Sequence, residues 1–467
     1  MLRTLLVLLA CATTLAAAPP HVVIILADDL GYGDPACFNP ASKIATPAID
    51  RLAREGMCFR DAHAPGPLCH ASRYGLMTGR FPFRIDVSKW PSQPLIGDGE
   101  TTLPSLLADS GYQTAMIGKW HVGFREKGYD QPLKGGPVDR GFHSFFGIRA
   151  STDIPPYFFI RDDRAVALPD GHIDASNSTA QGWSPIQGKF WRQGGIAPDL
   201  RLDEVLPRFT DEAISVIKSR DPAKPLMLYL AFPAPHTPWL PSAAFAGKSK
   251  VPLYGDFVEM VDHEIGRVLT TLDQAGIAGD TLVIFSSDNG PVWRESDVER
   301  FGHDAAGGLR GMKGDAWEAG HRMPFIVRWP GKVAAASRTD RLVCFTDLLA
   351  TFAALLDREL PAGAAPDSVS FLPTLLGGKQ DEREPIVMES ANGFHSIRSG
   401  PWKFIDRLGS GGFSEPKETK PAKGGPEGQL YNLTTDPAES VNLFLDQPER
   451  VAAMRSKMRE IISGTDR

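Results

Sequence analysis

His21-Val22-Val23-Ile24-Ile25-Leu26-Ala27-Asp28-Asp29 is the stretch that sets the architecture. An apolar, β-branched run of this length with no polar alternation predicts a strand buried on both faces, and it delivers two carboxylates at its C-terminal end. Beyond it the period turns helical. Thr46 stands as N-cap, Pro47 at the first helical position, Ile49, Leu52 and Ala53 on one face, and Gly56 ends the helix. Further buried strands are predicted at 114–117, 226–232, 282–287 and 324–329. Helices are predicted at 103–109, 209–218 and 257–274, the last with Val261, Ile265, Val268 and Leu272 aligned. Strands alternating with helices predict an α/β fold, a large, mainly parallel central sheet flanked by helices, whose ligands gather beyond the carboxyl ends of the strands. Residues 19–380 form this large domain. Residues 381–467 form a smaller α+β domain, with short antiparallel strands at 385–388, 394–398 and 402–406 and a helix at 448–462 carrying Val451, Met454, Met458 and Ile461 on one side. Residues 150–205, rich in Pro, Gly, Asp and Trp, read as surface excursions over the site. Residues 409–428, rich in Gly, Lys, Glu and Pro, read as a mobile loop.

The 467 residues suit one large and one small domain. Hydrophobic residues make up 42% and charged residues 23%, which are globular values and exclude a disordered chain. Fifty basic against 56 acidic residues, with no dense basic run, argue against a nucleic-acid partner. Residues 1–18 read as a signal peptide: Arg3 is the positive end, an apolar stretch follows, and Ala16, Ala17 and Ala18 suit the peptidase. The mature chain is then exported to the periplasm or the extracellular space, with no transmembrane segment. Leu8-Leu9-Ala10-Cys11 gives a second reading, a lipid anchor on Cys11. Export leaves Cys37, Cys58, Cys69 and Cys344, which is too few for a disulfide scaffold.

The chemistry begins at Cys69-His70-Ala71-Ser72-Arg73-Tyr74-Gly75-Leu76-Met77-Thr78-Gly79-Arg80. This run resembles the signature of the sulfatase family, a formylglycine-dependent, arylsulfatase-like group in the alkaline phosphatase superfamily. In that signature a cysteine followed by any residue, Pro or Ala, a small residue and Arg is oxidised to formylglycine; the usual Pro is Ala71 here. The resemblance implies that Cys69 becomes 3-oxoalanine through a formylglycine-generating or anaerobic sulfatase-maturating enzyme. One hydroxyl of the hydrated aldehyde attacks sulfur and the other expels sulfate. Residue 69 would open a helix, where backbone N–H groups favour negative charge. Arg73, one turn on, would hold the hydrate.

Asp28-Asp29 ends the first strand and Ser287-Asp288-Asn289-Gly290 a later one. Taken singly these are turn or cap residues, and Asp34 is read as one. Together, the hard oxygens of Asp28, Asp29, Asp288 and Asn289 suit Ca²⁺, with Mg²⁺ second, and the absence of an accompanying His/Cys cluster argues against zinc. The resemblance adds Cys69 to this ligand set. It also implies roles for Lys119 and His121 in Gly118-Lys119-Trp120-His121, for His236 in Ala234-Pro235-His236-Thr237-Pro238, and for Lys313 in Gly311-Met312-Lys313-Gly314. Lys119 would bind the formylglycine hydroxyl and a sulfate oxygen, and His121 would take a proton during sulfate release. His236 would meet the leaving-group oxygen, and Lys313 would pair with sulfate. The likeness runs from His21 to Leu430-Tyr431-Asn432-Leu433-Thr434-Thr435-Asp436-Pro437. It implies a sulfuric ester hydrolase acting on sulfated carbohydrates or aryl sulfates. Two alternatives stand beside it: a phosphate or phosphonate ester hydrolase on the same fold, and a non-catalytic carbohydrate-binding homologue should Cys69 stay unmodified. Tyr157, His143, Trp239, His303 and Arg310 are candidates to line a sugar pocket.

Overall fold

A computed structural model describes residues 19–380 and 382–464. The segment read as a signal peptide or lipid anchor lies outside the described residues. Among the described residues no helix is long and apolar enough to cross a membrane.

An 11-stranded sheet runs through the larger part of the chain. Its order across the sheet is Ser337–Thr339, Met57–His63, Arg322–Arg328, Thr281–Ser287, His21–Asp28, Leu226–Pro235, Gln113–Lys119, Ser144–Ile148, Ile160–Arg161 and Arg164–Ala165, with Val343–Cys344 also paired to Met57–His63. The first strand shows why its sequence carries no alternation. Val22, Ile24 and Leu26 enter the core on one face, while Val23, Ile25 and Ala27 enter the core on the other. Helices Pro47–Glu55, Val205–Ser219 and Tyr254–Gln274 cover the second face through Ile49, Leu52, Phe209, Ile217, Val261 and Ile265. Helices Cys69–Thr78, Leu103–Asp109 and Asp347–Leu355 cover the first through Tyr74, Met77, Leu106 and Phe352. Each large aliphatic or aromatic side chain so buried contributes about 1.5–3 kcal/mol, which makes these two faces the main source of stability.

The five central strands, from Thr281–Ser287 to Ser144–Ile148, are parallel, as the alternating pattern predicts. Arg322–Arg328 runs antiparallel to Thr281–Ser287, and Met57–His63 pairs antiparallel to Arg322–Arg328 and so returns to the direction of the central strands; the sheet is mixed. Met57–His63 escapes a hydrophobicity reading because Arg60, Asp61 and His63 interrupt it; Asp61 and His63 are held by Arg398 from the small sheet. That second sheet is antiparallel, in the order Ile386–Glu389, His395–Ser399, Trp402–Ile405, Gln429–Asn432, and helix Pro448–Ser463 packs Val451, Met454, Met458 and Ile461 on it.

Two local readings change, at Thr46 and Asp34, and the one at Gly56 holds. Thr46 occupies the N-cap position, but its side chain makes no cap bond; Asp262 of helix Tyr254–Gln274 instead accepts from the backbone of Ala48 at 3.0 Å and Ile49 at 2.8 Å. A tertiary carboxylate therefore satisfies the helix start that a local hydroxyl was expected to satisfy. Gly56 ends the helix in extended backbone, and its lack of a side chain matters because a Cβ would meet the Val327 carbonyl oxygen at 2.4 Å. Asp34 is more than a turn residue: fully buried, it accepts from the Tyr254 hydroxyl at 2.5 Å and lies 2.8 Å from His303 Nε2.

Candidate active site

Parallel strands share a carboxyl edge, and here that edge gathers the chemistry. His21–Asp28 and Thr281–Ser287 run in register, Ala27 opposite Ser287, so Asp28 and Asp288 emerge side by side. Gln113–Lys119 ends at Lys119, and Leu226–Pro235 leads directly into His236. Cys69 is the first residue of helix Cys69–Thr78, as its motif predicts, and is buried there with its thiol 3.5 Å from Asp28 Oδ1. Lys313 comes from a loop far along the chain and sets Nζ 3.2 Å from Cys69 Sγ and 2.6 and 2.9 Å from the Asp29 oxygens.

Arg73 is fully buried one turn into the helix. Its Nε and Nη2 donate to Asp288 Oδ2 at 3.0 and 2.8 Å, and Nη1 donates to the Lys119 carbonyl at 2.7 Å. Lys119 Nζ donates to Asp28 Oδ2. Asn289 Nδ2 donates to Asp29 Oδ1 at 2.6 Å, while its Oδ1, also buried, has no hydrogen-bond partner. The residues expected from the sequence to act in catalysis or hold a metal, Asp28, Asp29, Cys69, Arg73, Lys119, His121, His236, Asp288, Asn289 and Lys313, are thus brought together. Asp29 and His121 adopt left-handed backbone, φ 62° and 60°, a conformation that non-glycine residues hold only where packing enforces it.

Charge explains the protonation states. Burial pushes the Asp28 carboxyl up, but Lys119, His236, Arg73 and Lys313 outweigh it and hold it below the usual carboxylate range. Asp288 goes the other way, raised by burial and by the neighbouring Asp28 despite Arg73. Burial, then Asp28 and Asp288, push the Cys69 thiol well up, so as a cysteine it keeps its proton and is a poor nucleophile. Burial disfavours the Lys313 ammonium, yet Asp29 and its neighbours reverse this and raise it well above the ordinary value. His121 is driven well below 6.5 by burial and by Lys119; both ring nitrogens are buried without a partner, and the imidazole is neutral.

The donor set fits a hard divalent cation. Ligand atoms of Asp28, Asp29, Cys69 and His236 lie within 4.8 Å of one another, and Asp288 adjoins them, its Oδ1 taking the Asp29 N–H at 3.3 Å. The orphaned Asn289 Oδ1 is a further acceptor of the kind a cation would satisfy. One premise of the sequence reading is corrected: Cys69 and His236 do stand among the carboxylates. The preference for Ca²⁺ or Mg²⁺ over zinc therefore rests on the oxygen majority from Asp28, Asp29, Asp288 and Asn289 alone.

Above the cluster opens a pocket of 220 Å³ lined by Cys69, His70, Trp90, His121, Ser151, Asp153, Phe190, Arg192, His236, Trp239 and Lys313. Of the five candidate sugar-contacting residues only Trp239 is on it. Tyr157 is in the core and donates to the Arg192 carbonyl, His143 is tied to Thr114, His303 to Asp34, and Arg310 to the Glu439 carbonyl over the Trp317 ring. The pocket residues that sequence reasoning missed come from the non-periodic segments. The 150–205 excursion supplies Ser151, Asp153, Phe190 and Arg192, and the supposed mobile loop supplies Phe413. The start of that loop is pinned, since Phe413 and Ser414 donate backbone N–H groups to Asp315 Oδ1 at 2.6 and 3.0 Å.

Residues 20–358 match the family model described as Sulfatase. An N-acetylgalactosamine-6-O-sulfatase of Bacteroides thetaiotaomicron is 34% identical across 94% of this chain and 92% of its own length. Arylsulfatase A of Bos taurus is 32% identical across 92% of this chain and 84% of its own. A solved structure from work on glycosaminoglycan metabolism by Bacteroides thetaiotaomicron superposes with a TM-score of 0.85 at 33% identity, covering 96% of this chain and all of that one. A solved protein in complex with a neocarrahexaose superposes at 0.72 with 26% identity, covering 96% and 94%.

Proposed function

This chain belongs to the sulfatase family, and from that premise and the geometry of the pocket we propose that it hydrolyses sulfate monoesters of carbohydrates, with residue 69 matured to formylglycine beside a bound calcium ion. The observation that carries this reading is the seat of Cys69: a helix-opening side chain on the pocket floor, within 3.5 Å of a carboxylate and 3.2 Å of a lysine ammonium, whose thiol is held protonated and so needs chemical conversion to act. Support for a carbohydrate comes from the relatives, one of which is an N-acetylgalactosamine-6-O-sulfatase, and from a pocket that offers aromatic faces and polar groups together.

Formylglycine at residue 69 would supply a hydrated aldehyde as the nucleophile toward sulfur. Asp28, Asp29, Asp288 and Asn289 would hold the cation, which would supply positive charge to the site. The remaining work falls to this chain's side chains. Arg73, fixed on Asp288 and on the Lys119 carbonyl, orients residue 69 from below. Lys119 and Lys313 place two ammonium groups where the sulfuryl oxygens gain charge, in a site whose burial strengthens their effect. His121, neutral and without another partner, receives a proton. His236, its Nδ1 engaged by the Thr237 carbonyl at 2.7 Å, presents Nε2 to the leaving oxygen. The same reading has the chain exported to the periplasm or beyond, and matured by a formylglycine-generating or anaerobic maturating enzyme.

The test is turnover of nitrophenyl sulfate against nitrophenyl phosphate by protein co-expressed with a maturating enzyme, with the peptide containing residue 69 weighed in parallel. Sulfate is the better substrate, conversion lowers the peptide mass by about 18 Da, and Cys69→Ala is inactive. Faster phosphate turnover, or full activity from an unmodified thiol, would overturn the assignment.

A further inference from the structure

Two buried acceptors on the pocket wall are left over by the chemistry above. Ser151 and Asp153, 3% and 4% exposed, both line the pocket, and Ser151 Oγ and Asp153 Oδ1 have no hydrogen-bond partner in the protein. Buried polar groups without partners are rare, and in a pocket wall they mark where a ligand supplies the missing bond. The turn that bears them is well fixed. Asp153 Oδ2 accepts from Arg192 Nη1 at 2.5 Å, and the Asp153 carbonyl accepts from the Arg192 backbone at 3.2 Å. Thr152 Oγ1 donates to the Thr237 carbonyl, the same oxygen that His236 Nδ1 meets. Its place relative to the chemistry is also defined: His236 stands between the two carboxylates, Nε2 3.7 Å from Asp29 and Nδ1 3.9 Å from Asp153.

We propose that Ser151 and Asp153 form a hydroxyl-recognition subsite that reads the sugar ring next to the esterified carbon, and so makes the pocket select a sulfated carbohydrate over a plain aryl sulfate. The proposal rests on the sulfatase reading above and extends it. With Arg192 holding Oδ2, Asp153 Oδ1 is a charge-bearing acceptor that an alcohol O–H satisfies and that a second sulfate or a carboxylate would be repelled by. Ser151 Oγ, able to donate or accept, takes a hydroxyl from either side. Neither group reaches the thiol or the carboxylate cluster by any hydrogen bond, so their contribution is to binding and placement of the ring rather than to the reacting atoms. A site built to bond hydroxyls rejects analogues lacking them strongly, because the buried acceptor is then left bare.

The experiment uses the matured full-length chain, a set of monosulfated hexoses and N-acetylhexosamines with their mono-deoxy analogues, and nitrophenyl sulfate, which has no ring hydroxyl. Asp153→Asn and Ser151→Ala each lower kcat/KM on the preferred sulfated sugar by about 10- to 100-fold, and by at least tenfold more than on nitrophenyl sulfate. One deoxy analogue costs the wild type a similar factor and costs the matching variant little more. Equal losses on sugar and aryl substrates, or a deoxy penalty undiminished in both variants, overturn the subsite. So does a wild type that cleaves nitrophenyl sulfate but no sulfated sugar. A wild type inert on every sulfate ester instead overturns the sulfatase reading itself, and the two failures are told apart by the nitrophenyl arm.

Discussion

Replacing Lys313 by alanine separates catalysis from stability. The ammonium lies 2.6 and 2.9 Å from the two oxygens of Asp29 and 3.2 Å from Cys69 Sγ, inside a cluster of three carboxylates and three basic side chains. Loss of one preorganised donor aimed at developing charge costs about 2.7–4 kcal/mol of transition-state stabilisation, or roughly 10²–10³ in kcat. The effect on the fold depends on the cation. Without it, Lys313→Ala strips Asp29 of its ion pair and leaves a buried carboxylate with the Asn289 amide at 2.6 Å as its main support. Breaking a buried pair costs about 3–5 kcal/mol, and the surviving bond puts this case near the lower end. With calcium present the carboxylate regains a positive partner, so most of that loss disappears, and calcium binds the variant more tightly than the wild type because one competing charge is gone. Initial rates on nitrophenyl sulfate, and denaturant melts in calcium and in EDTA, read the two quantities apart. A kcat/KM within threefold of wild type removes Lys313 from the chemistry. A stability loss of equal size in calcium and in EDTA refutes the placement of the cation among these carboxylates.

Three further outcomes follow from the same geometry. Gly118→Ala places a Cβ 2.0 Å from the Ala231 carbonyl oxygen at φ 113°, between two adjacent central strands, and lowers unfolding free energy by more than about 2 kcal/mol in a denaturant titration; an unchanged midpoint refutes the clash. Lys403→Met leaves Glu318 and Glu439, both buried and 3.1 and 2.9 Å from its ammonium, without that cation, and costs about 3–5 kcal/mol by the same measurement; a neutral result shows the network relaxes without it. Because burial and Lys119 hold His121 well below 6.5, its neutral form persists as pH falls through 6.5, so the acid limb of kcat lies below that value and a limb at or above it removes His121 as the proton acceptor. The same depression has a stability sign: below pH 6.5 the unfolded chain binds the proton that the folded site refuses, so this group's contribution is full above 6.5 and declines as pH falls.

The central sheet was legible because its strands are buried on both faces, which leaves a plain signature: Val22 to Ala27 has no polar residue at all, and each of its side chains enters one core or the other. Met57–His63 was not legible for the opposite reason. Its Asp61 and His63 are bonded by Arg398 of the small sheet, more than 330 positions away, and no local pattern records such a bond. The helix start at Pro47 shows the same limit on a smaller scale. A threonine stood where a cap belongs, and a carboxylate from another helix did the capping.

The site divides along the same line. Most of the groups proposed to act on sulfur sit at strand ends or at a helix start, where backbone geometry fixes their position, so a short motif is enough to find Asp28, Cys69, Lys119 and Asp288. Groups around the ring position hang from segments without periodicity, and their orientation comes from contacts such as Arg192 on Asp153 that only the folded chain creates. On the proposed reading, reaction type is written mainly in the regular elements of this protein and substrate choice in the irregular ones. Exchanging the turn that carries Ser151 and Asp153 should then redirect which sugar is cleaved while the chemistry at residue 69 stays as it is, and a turn exchange that abolished nitrophenyl sulfate turnover along with every sugar would show the two layers to be one.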